Sequence, residues 1–281
     1  MSFNRPLIMG VLNVTPDSFS DGGEFSALED AVNHARLLIA AGAQVIDIGG
    51  ESTRPGAERV AVAEEQRRVL SVIERITKEP SFIDSGAQIS IDTMNASTAR
   101  AAVAAGAKII NDVSGGLADE DMFAVAAETN ATLVISHWRG FSDVMNTLNA
   151  YADIARDVAA ELSTRVHAAI AAGVDREKIV IDPGLGFAKD MRQNWMLVAR
   201  LDELEKLGFP ILVGASRKRF IAGVLEPDED GEVSNARRDV ATAVLTALLL
   251  QRKLWGIRVH NVIATADAID VVAALRNAES Q

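Results

Sequence analysis

"LLIAAGAQVIDIGG", residues 37–50, is the stretch on which the fold turns. An alanine-rich helical pattern runs to Gly42, and an apolar strand follows almost at once. The unit returns as "ARAAVAAGAKIINDVSGG" (99–116), "AAIAAGVDREKIVIDPG" (168–184), "LEKLGFPILVGAS" (204–216) and "KLWGIRVHN" (253–261). Gly42, Gly106, Gly173, Gly208 and Gly256 stand where a helix C-cap takes left-handed backbone. The strands are apolar on both faces and their loops are short, as in parallel sheets. Eight strands are expected, beginning near Leu7, Val45, Ile89, Lys108, Thr132, Ile179, Ile211 and Ile257. Helical patterns separate them around 28–41, 63–78, 95–105, 151–172, 192–206, 236–253 and 264–276. Eight βα units in about 250 residues predict an α/β protein, a closed (β/α)8 TIM barrel, with residues 1–281 as a single domain. A doubly wound open sheet is the alternative. Against it, "GLGFAKD" (184–190) lacks the dinucleotide glycine spacing, and no P-loop is present.

Composition narrows the function. The net charge of −11 argues against general nucleic-acid binding, which needs a basic face. A small anionic substrate stays compatible, because a local cationic pocket can form on an acidic protein. The absence of cysteine excludes disulfides, thiolate metal sites and cysteine nucleophiles, and fits a reducing cytoplasm. No signal peptide is expected. The apolar stretch near Val240–Leu250 is broken by Thr242 and Thr246 and is short of the roughly 20 residues that span a bilayer, so no membrane association is expected.

In a barrel the catalytic face lies where strands finish. The polar residues there are Asn13, Asp47, Asp92, Asn111, His137, Asp182, Ser216-Arg217-Lys218, Arg258 and His260. Each has a plainer reading: Asp92 as the N-cap of the next helix, Asp182 as a turn former before Pro183, Asn111 as a turn partner of Asp112. Repetition at one face favours a ligand instead. His34 and His167 fall inside helical patterns and are read as structural. Asp92, Asn111 and Asp182 are rich in acceptors and suit a flat ring carrying adjacent N–H donors. Arg54, Arg258, His260 and Lys218 suit an anion. Asn13 offers a carbonyl oxygen to a hard cation such as Mg2+. The stretches 9–23 and 49–65 are too long and polar for simple connectors and read as lids, with glycine pairs at 22–23 and 49–50 as hinges.

These motifs resemble a family. "MGVLNVTPDSFSDGG" (9–23) and "DIGGESTRPGA" (47–57) are similar to the two opening signatures of the dihydropteroate synthases. "SIDT", "INDVSGG", "IDPGLGFAKD", "VGASRKRF" and "RVHN" follow in the family's order, and the match runs from about Leu7 to about Ala274. The resemblance implies a barrel, usually dimeric, that joins 6-hydroxymethyl-7,8-dihydropterin pyrophosphate to p-aminobenzoate with Mg2+, releasing pyrophosphate in folate biosynthesis. It implies that Asp92, Asn111, Asp182 and Lys218 bind the pterin. Asn13, Arg54, Arg258 and His260 match the pyrophosphate positions, with Asn13 on the metal. Phe19, Thr53, Pro55 and Phe187 match the p-aminobenzoate pocket. It further implies that Asp92, Asp182, Lys218, Arg54, Arg258 and His260 carry the chemistry, and that sulfonamides act in this family as p-aminobenzoate mimics.

Some positions depart from the family pattern. Arg219 stands where many members have a serine that meets the p-aminobenzoate carboxylate, and Asn261 where aspartate is usual. Ala188 replaces glycine and Asp190 threonine, and Trp138 stands where methionine is common; these are read as tuning of the ring wall. His137 is expected to line the pocket without acting as a base. A pterin-dependent methyltransferase and a non-catalytic paralogue are the rivals; the first has no need of the phosphate cluster, and the second should have lost part of the loop signatures.

Overall fold

The chain's apolar runs and glycine stops build alternating strands and helices. The computed structural model describes residues 5–15, 23–51, 59–141 and 144–279, without the side chains of 23–26 and 146. In chain order the elements are β1 (Leu7–Asn13), α1 (Gly23–Ala40), β2 (Val45–Gly49), α2 (Val62–Ile76), α3 (Pro80–Ser85), β3 (Gln88–Asp92), α4 (Ala96–Ala105), β4 (Ile109–Asp112), α5 (Met122–Thr129) and β5 (Thr132–Ser136). Then come α6 (Ile154–Ala171), β6 (Ile179–Asp182), α7 (Met191–Ala199), α8 (Asp202–Glu205), β7 (Leu212–Val213), α9 (Arg219–Ala222), α10 (Asn235–Leu249), β8 (Gly256–Val259) and α11 (Val262–Glu279). The expected strand starts hold to within a residue. The expected helix over 192–206 is split into α7 and α8, and α3 and α9 are short additions.

The strands form one parallel sheet in the order β6-β5-β4-β3-β2-β1-β8-β7. The two ends meet through a bridge between Ile181 and Ile211, with the Ile181 N–H donating to the Pro210 carbonyl at 2.9 Å. The sheet is thus a nearly closed (β/α)8 TIM barrel. Gly42, Gly106, Gly173 and Gly208 all take positive φ after their helices, as the repeat demands. Gly256 is different: it is no cap but the first residue of β8. A Cβ there would lie 3.2 Å from Leu212 Cδ1 and 3.3 Å from the Leu7 carbonyl oxygen, so strand crowding explains the glycine.

Side chains two apart on a strand share a face. Met9, Val45, Ile109, Val134, Val180 and Leu212 pack together as an apolar plug inside the barrel. A second, larger core lies between strands and helices, with Ile46, Ile48, Ile89, Ile91 and Ile110 fully buried. Following the inner face upward from the plug leads to Asn13, Asp47, Asp92, Asn111, Ser136, Asp182, Gly214 and Arg258. The parity that buries apolar residues at the bottom therefore aims polar ones at a single cavity above them.

Candidate active site

Strand register sets the floor of the site. Asn13, Gly49, Asp92 and Asn111 are paired in sequence across β1, β2, β3 and β4, so they stand at one height. Asp182 pairs with Ser136 on the far side. A Cβ at Gly49 would lie 3.5 Å from that of Asp92, so the glycine leaves space beside the carboxylate.

Arg258 rises from β8 into this ring. Its Nε donates to Asp47 Oδ2 and its Nη2 to Asp92 Oδ2, both at 2.6 Å. Asn111 Nδ2 donates to the same Asp47 oxygen at 3.1 Å. Asp47 is completely buried, and its Oδ1 has no partner among the described residues. Burial pushes the Asp92 carboxyl up to about 7, with Arg258 opposing and Asp47, Glu65 and Asp112 adding to the rise. Burial also works against charge on Arg258, but Asp47 and Asp92 outweigh it and raise its proton affinity.

Asp182 and Lys218 form the opposite wall. Asp182 Oδ1 accepts from the Gly184 N–H at 2.6 Å, and Oδ2 faces Gly214, whose absent Cβ would be 3.8 Å away. The turn reading of Asp182 is therefore right for one oxygen, and the other is left for the cavity. Burial raises the Asp182 pKa while Lys218 pulls it back. Burial brings the Lys218 ammonium down to about 8, against the pull of Asp182. Lys218 Nζ donates to the Leu185 carbonyl and sits 4.7 Å above the Phe187 ring. Arg217, between Ser216 and Lys218, has φ +60, and its guanidinium makes two bonds of 2.8 Å to Asp239 on α10. Ser216 Oγ meets His260 Nδ1 at 3.0 Å, which joins the β7 and β8 ends.

The plainer readings fail for Asp92 and Asn111. Asn95, not Asp92, is the residue before α4, and the Ala96 N–H donates to Asp119. Asp112 closes its turn alone, accepting from the Ser114 and Gly116 N–H groups.

Several departures are structural. Asp190 is no ring wall: it caps α7 in a capping box with Gln193. Asn261 Oδ1 accepts from the Ala264 N–H at the start of α11. Ala188 is buried with φ +47, a conformation glycine takes more easily. Trp138 packs edge-on against Phe141, 4.9 Å between centroids. Arg219 is exposed on the first turn of α9 and makes no ion pair among the described residues. His34 and His167 lie on α1 and α6. Arg54, Phe19, Thr53 and Pro55 lie outside the described residues, as do the central parts of both expected lids. Of the expected hinges, Gly50 is explained by packing: a Cβ there would meet Val69 Cγ1 at 2.9 Å.

His137 does not offer a free ring nitrogen to the cavity. Its Nε2 meets Glu161 Oε2 at 2.9 Å and its Nδ1 meets Lys189 Nζ at 2.8 Å. The Glu161 carboxylate can only accept, so Nε2 carries a proton; with the ring held neutral by burial, Nδ1 is the acceptor that meets Lys189. Burial and the Lys189 charge bring its pKa down to about 4, against Glu161. Lys189 also donates to the carbonyls of Gly184 and Phe187 at 2.9 Å each, tying up the loop after β6. Sequence reasoning missed Lys189; its signal was a lone basic residue in the short loop "GLGFAKD". Glu65, Glu161 and Asp239 were missed too, because acidic residues on helices carry no pattern that separates them from solvated ones.

Among the described residues, no three histidines, cysteines, aspartates or glutamates cluster to hold a metal, and no helix is long and apolar enough to cross a membrane.

Comparison with known proteins decides what this arrangement belongs to. A family model described as pterin binding enzyme matches residues 9–260. The dihydropteroate synthase of Mycobacterium leprae (strain TN) is 44% identical over 282 residues, covering 100% of this chain and 97% of the relative. The chain belongs to the dihydropteroate synthase family of pterin binding enzymes. Solved members of the family superpose throughout. The Xanthomonas albilineans enzyme with 4-aminobenzoic acid matches with a TM-score of 0.86 at 40% identity, covering 98% of this chain and 95% of that one. The Anaplasma phagocytophilum enzyme with bound 6-hydroxymethylpterin-monophosphate gives 0.85 at 35% identity, covering 97% and 100%. The family's activity is that of a transferase forming dihydropteroate in folate biosynthesis, and membership sets aside the methyltransferase reading.

Proposed function

We propose that this chain condenses 6-hydroxymethyl-7,8-dihydropterin pyrophosphate with p-aminobenzoate at the C-terminal rim of its barrel, giving 7,8-dihydropteroate and pyrophosphate. The observation that carries the reading is the convergence of Asp92, Asn111, Asp182, Lys218 and Arg258 above the apolar plug. The pterin lies flat on that floor. Its 2-amino group and ring N–H donate to Asp182, the charge-assisted pairing a buried carboxylate makes best. Asn111 and Lys218 contact the ring edge. Arg258 and His260 face the diphosphate, with Arg54 in the role the resemblance gives it, and the diphosphate takes up charge that Arg258 otherwise shares with Asp47 and Asp92.

Mg2+ fits the donor set at this rim. Asn13 ends β1 beside the Asp92 level and supplies one neutral oxygen, which suits an ion that keeps waters and takes the rest of its shell from phosphate. When bound it neutralises charge on the diphosphate. Asn13 would hold it.

The chain's own residues stabilise separating charge. As the C–O bond to pyrophosphate stretches, positive charge spreads over the methylene and ring, and the Asp92 and Asp182 carboxylates lie beneath it. Arg258 and His260 receive the departing anion. The aromatic amine, held by Phe187 and by Phe19, Thr53 and Pro55 in the roles the resemblance gives them, attacks the methylene carbon as the C–O bond breaks and gives up one proton to the departing pyrophosphate, and Arg219 meets its carboxylate. His137, with both nitrogens engaged, moves no proton.

A second copy of this chain is the expected partner. Val240, Val244 and Leu248 make an i, i+4, i+8 apolar stripe on α10, each more than half exposed, and Val224 stands next to them on the wall of the same groove. The cysteine-free sequence supports a reducing cytoplasm. Mass-spectrometric detection of dihydropteroate from the two substrates tests the reading; a purified, folded chain that makes none refutes it.

A further inference from the structure

Glu65 lies in the first turn of α2 and is buried, with 1% of its surface exposed. Its Oε1 accepts from Thr93 Oγ1 at 2.7 Å. Its Oε2 accepts from Asn95 Nδ2 at 2.8 Å and Thr98 Oγ1 at 2.6 Å. All three donors belong to the turn that follows Asp92 and to the start of α4. Among the described residues Glu65 makes no ion pair. A buried carboxylate held by three neutral donors is costly, and its satisfaction fixes every group that supplies it.

The same turn meets the residues on either side of the segment 52–58. Glu51 and Arg59 flank that segment and pair at 2.8 Å, and the Val60 N–H donates to Glu51 Oε2 at 3.2 Å. Arg59 Nη2 donates to Asn95 Oδ1 at 3.3 Å, so Arg59 rests on the asparagine that Glu65 holds. Gly50 approaches α2 so closely that a Cβ would come within 3.3 Å of the Glu65 carbonyl oxygen.

We propose that Glu65 is a positioning residue for Asp92: it ties the turn after β3 to α2 and, through Asn95, to the Glu51–Arg59 pair, so one carboxylate fixes the turn that follows Asp92. The proposal rests on the pterin-binding reading above. Glu65 acts on Asp92 through Thr93 and through its charge. Asp92 is faced by Arg258 from β8, Asp47 from β2, Asp112 from β4 and Glu65 from α2; Lys218, after β7, also feels its charge. Removing one like charge eases ionisation of Asp92.

Glu65→Gln tests this, because it keeps the shape and removes the charge. Calorimetry with 6-hydroxymethylpterin pyrophosphate is expected to show affinity about tenfold weaker. The acid limb of kcat/KM is expected to move to lower pH, which a merely structural change would not produce. Adding Thr98→Val to Glu65→Gln should cost little further, because the Thr98 hydroxyl donates to Glu65. Wild-type affinity with an unmoved acid limb, or losses that simply add, would overturn the proposal. If Glu65→Gln does not fold, Thr93→Val and Thr98→Val replace it, and unchanged pterin affinity in both has the same force. A wild-type chain that binds pterin but forms no dihydropteroate refutes the proposed function alone, and calorimetry still decides the role of Glu65.

Discussion

Arg258→Met is the most informative single change at the site. Methionine keeps the length of the stem and removes the charge that Asp47 and Asp92 share. At a charge separation of about 4 Å and an effective dielectric of about 20, the lost attraction is about 4 kcal/mol for the nearer carboxylate. That corresponds to about three pH units as an upper bound, and water entering the space reduces it to about one or two. Asp92 already stands at about 7, so in the variant it stays protonated through neutral pH. A protonated Asp92 gives up its role beneath the cation, and the diphosphate loses a partner. At pH 7 kcat/KM should fall about 100- to 1,000-fold, with part recovered toward pH 9.

Folding stability gives the matching sign. Because the folded pKa of Asp92 is raised, its contribution is present below the ordinary carboxylate range and fades as pH climbs through about 7. The variant moves that fading upward and leaves Asp47 without its cation, a loss of about 3–5 kcal/mol for a broken buried pair. Pyrophosphate release measured from pH 6 to 9, beside denaturation at the same pH values, checks both. A variant profile that superimposes on the wild type, in position and height, refutes the reasoning.

Asp182→Asn should weaken pterin affinity about 10- to 100-fold by calorimetry, since a neutral amide cannot accept from both ring donors; equal affinity removes Asp182 from the site. Lys189→Met leaves His137 Nδ1 and the Gly184 and Phe187 carbonyls without a donor. A stability loss of about 2–3 kcal/mol and a raised KM for p-aminobenzoate are expected, and an unchanged denaturation midpoint would count against that anchoring. Leu248→Glu places a charge in the α10 stripe and should convert a dimer to a monomer in analytical ultracentrifugation; identical sedimentation would put the interface elsewhere.

The barrel was legible because its code is local. Several helices stop at a glycine such as Gly106 or Gly173, and the strands that follow are largely apolar on both faces. Gly256 misled for the same reason: a glycine before a strand looks alike whether it caps a helix or relieves crowding inside β8. The site was legible as a set of strand ends, because parity on β2, β3, β4 and β6 puts Asp47, Asp92, Asn111 and Asp182 on the face of Val45, Ile109 and Val180. What the sequence hid was pairing. Nothing in it says that Arg258 binds Asp47 and Asp92 across the barrel, that His137 is closed off by Lys189 and Glu161, or that Glu65 gathers three donors. Those contacts join residues far apart in the chain and depend on side-chain reach rather than pattern.

A crystal structure of the chain with 6-hydroxymethylpterin pyrophosphate tests the central claim most directly. The account predicts the ring above Met9, Val45 and Val180, its 2-amino group and ring N–H on Asp182, its edge against Asn111 and Lys218, and the diphosphate toward Arg258 and His260. A pterin bound away from these strand ends, with Arg258 still shared between Asp47 and Asp92, would contradict it.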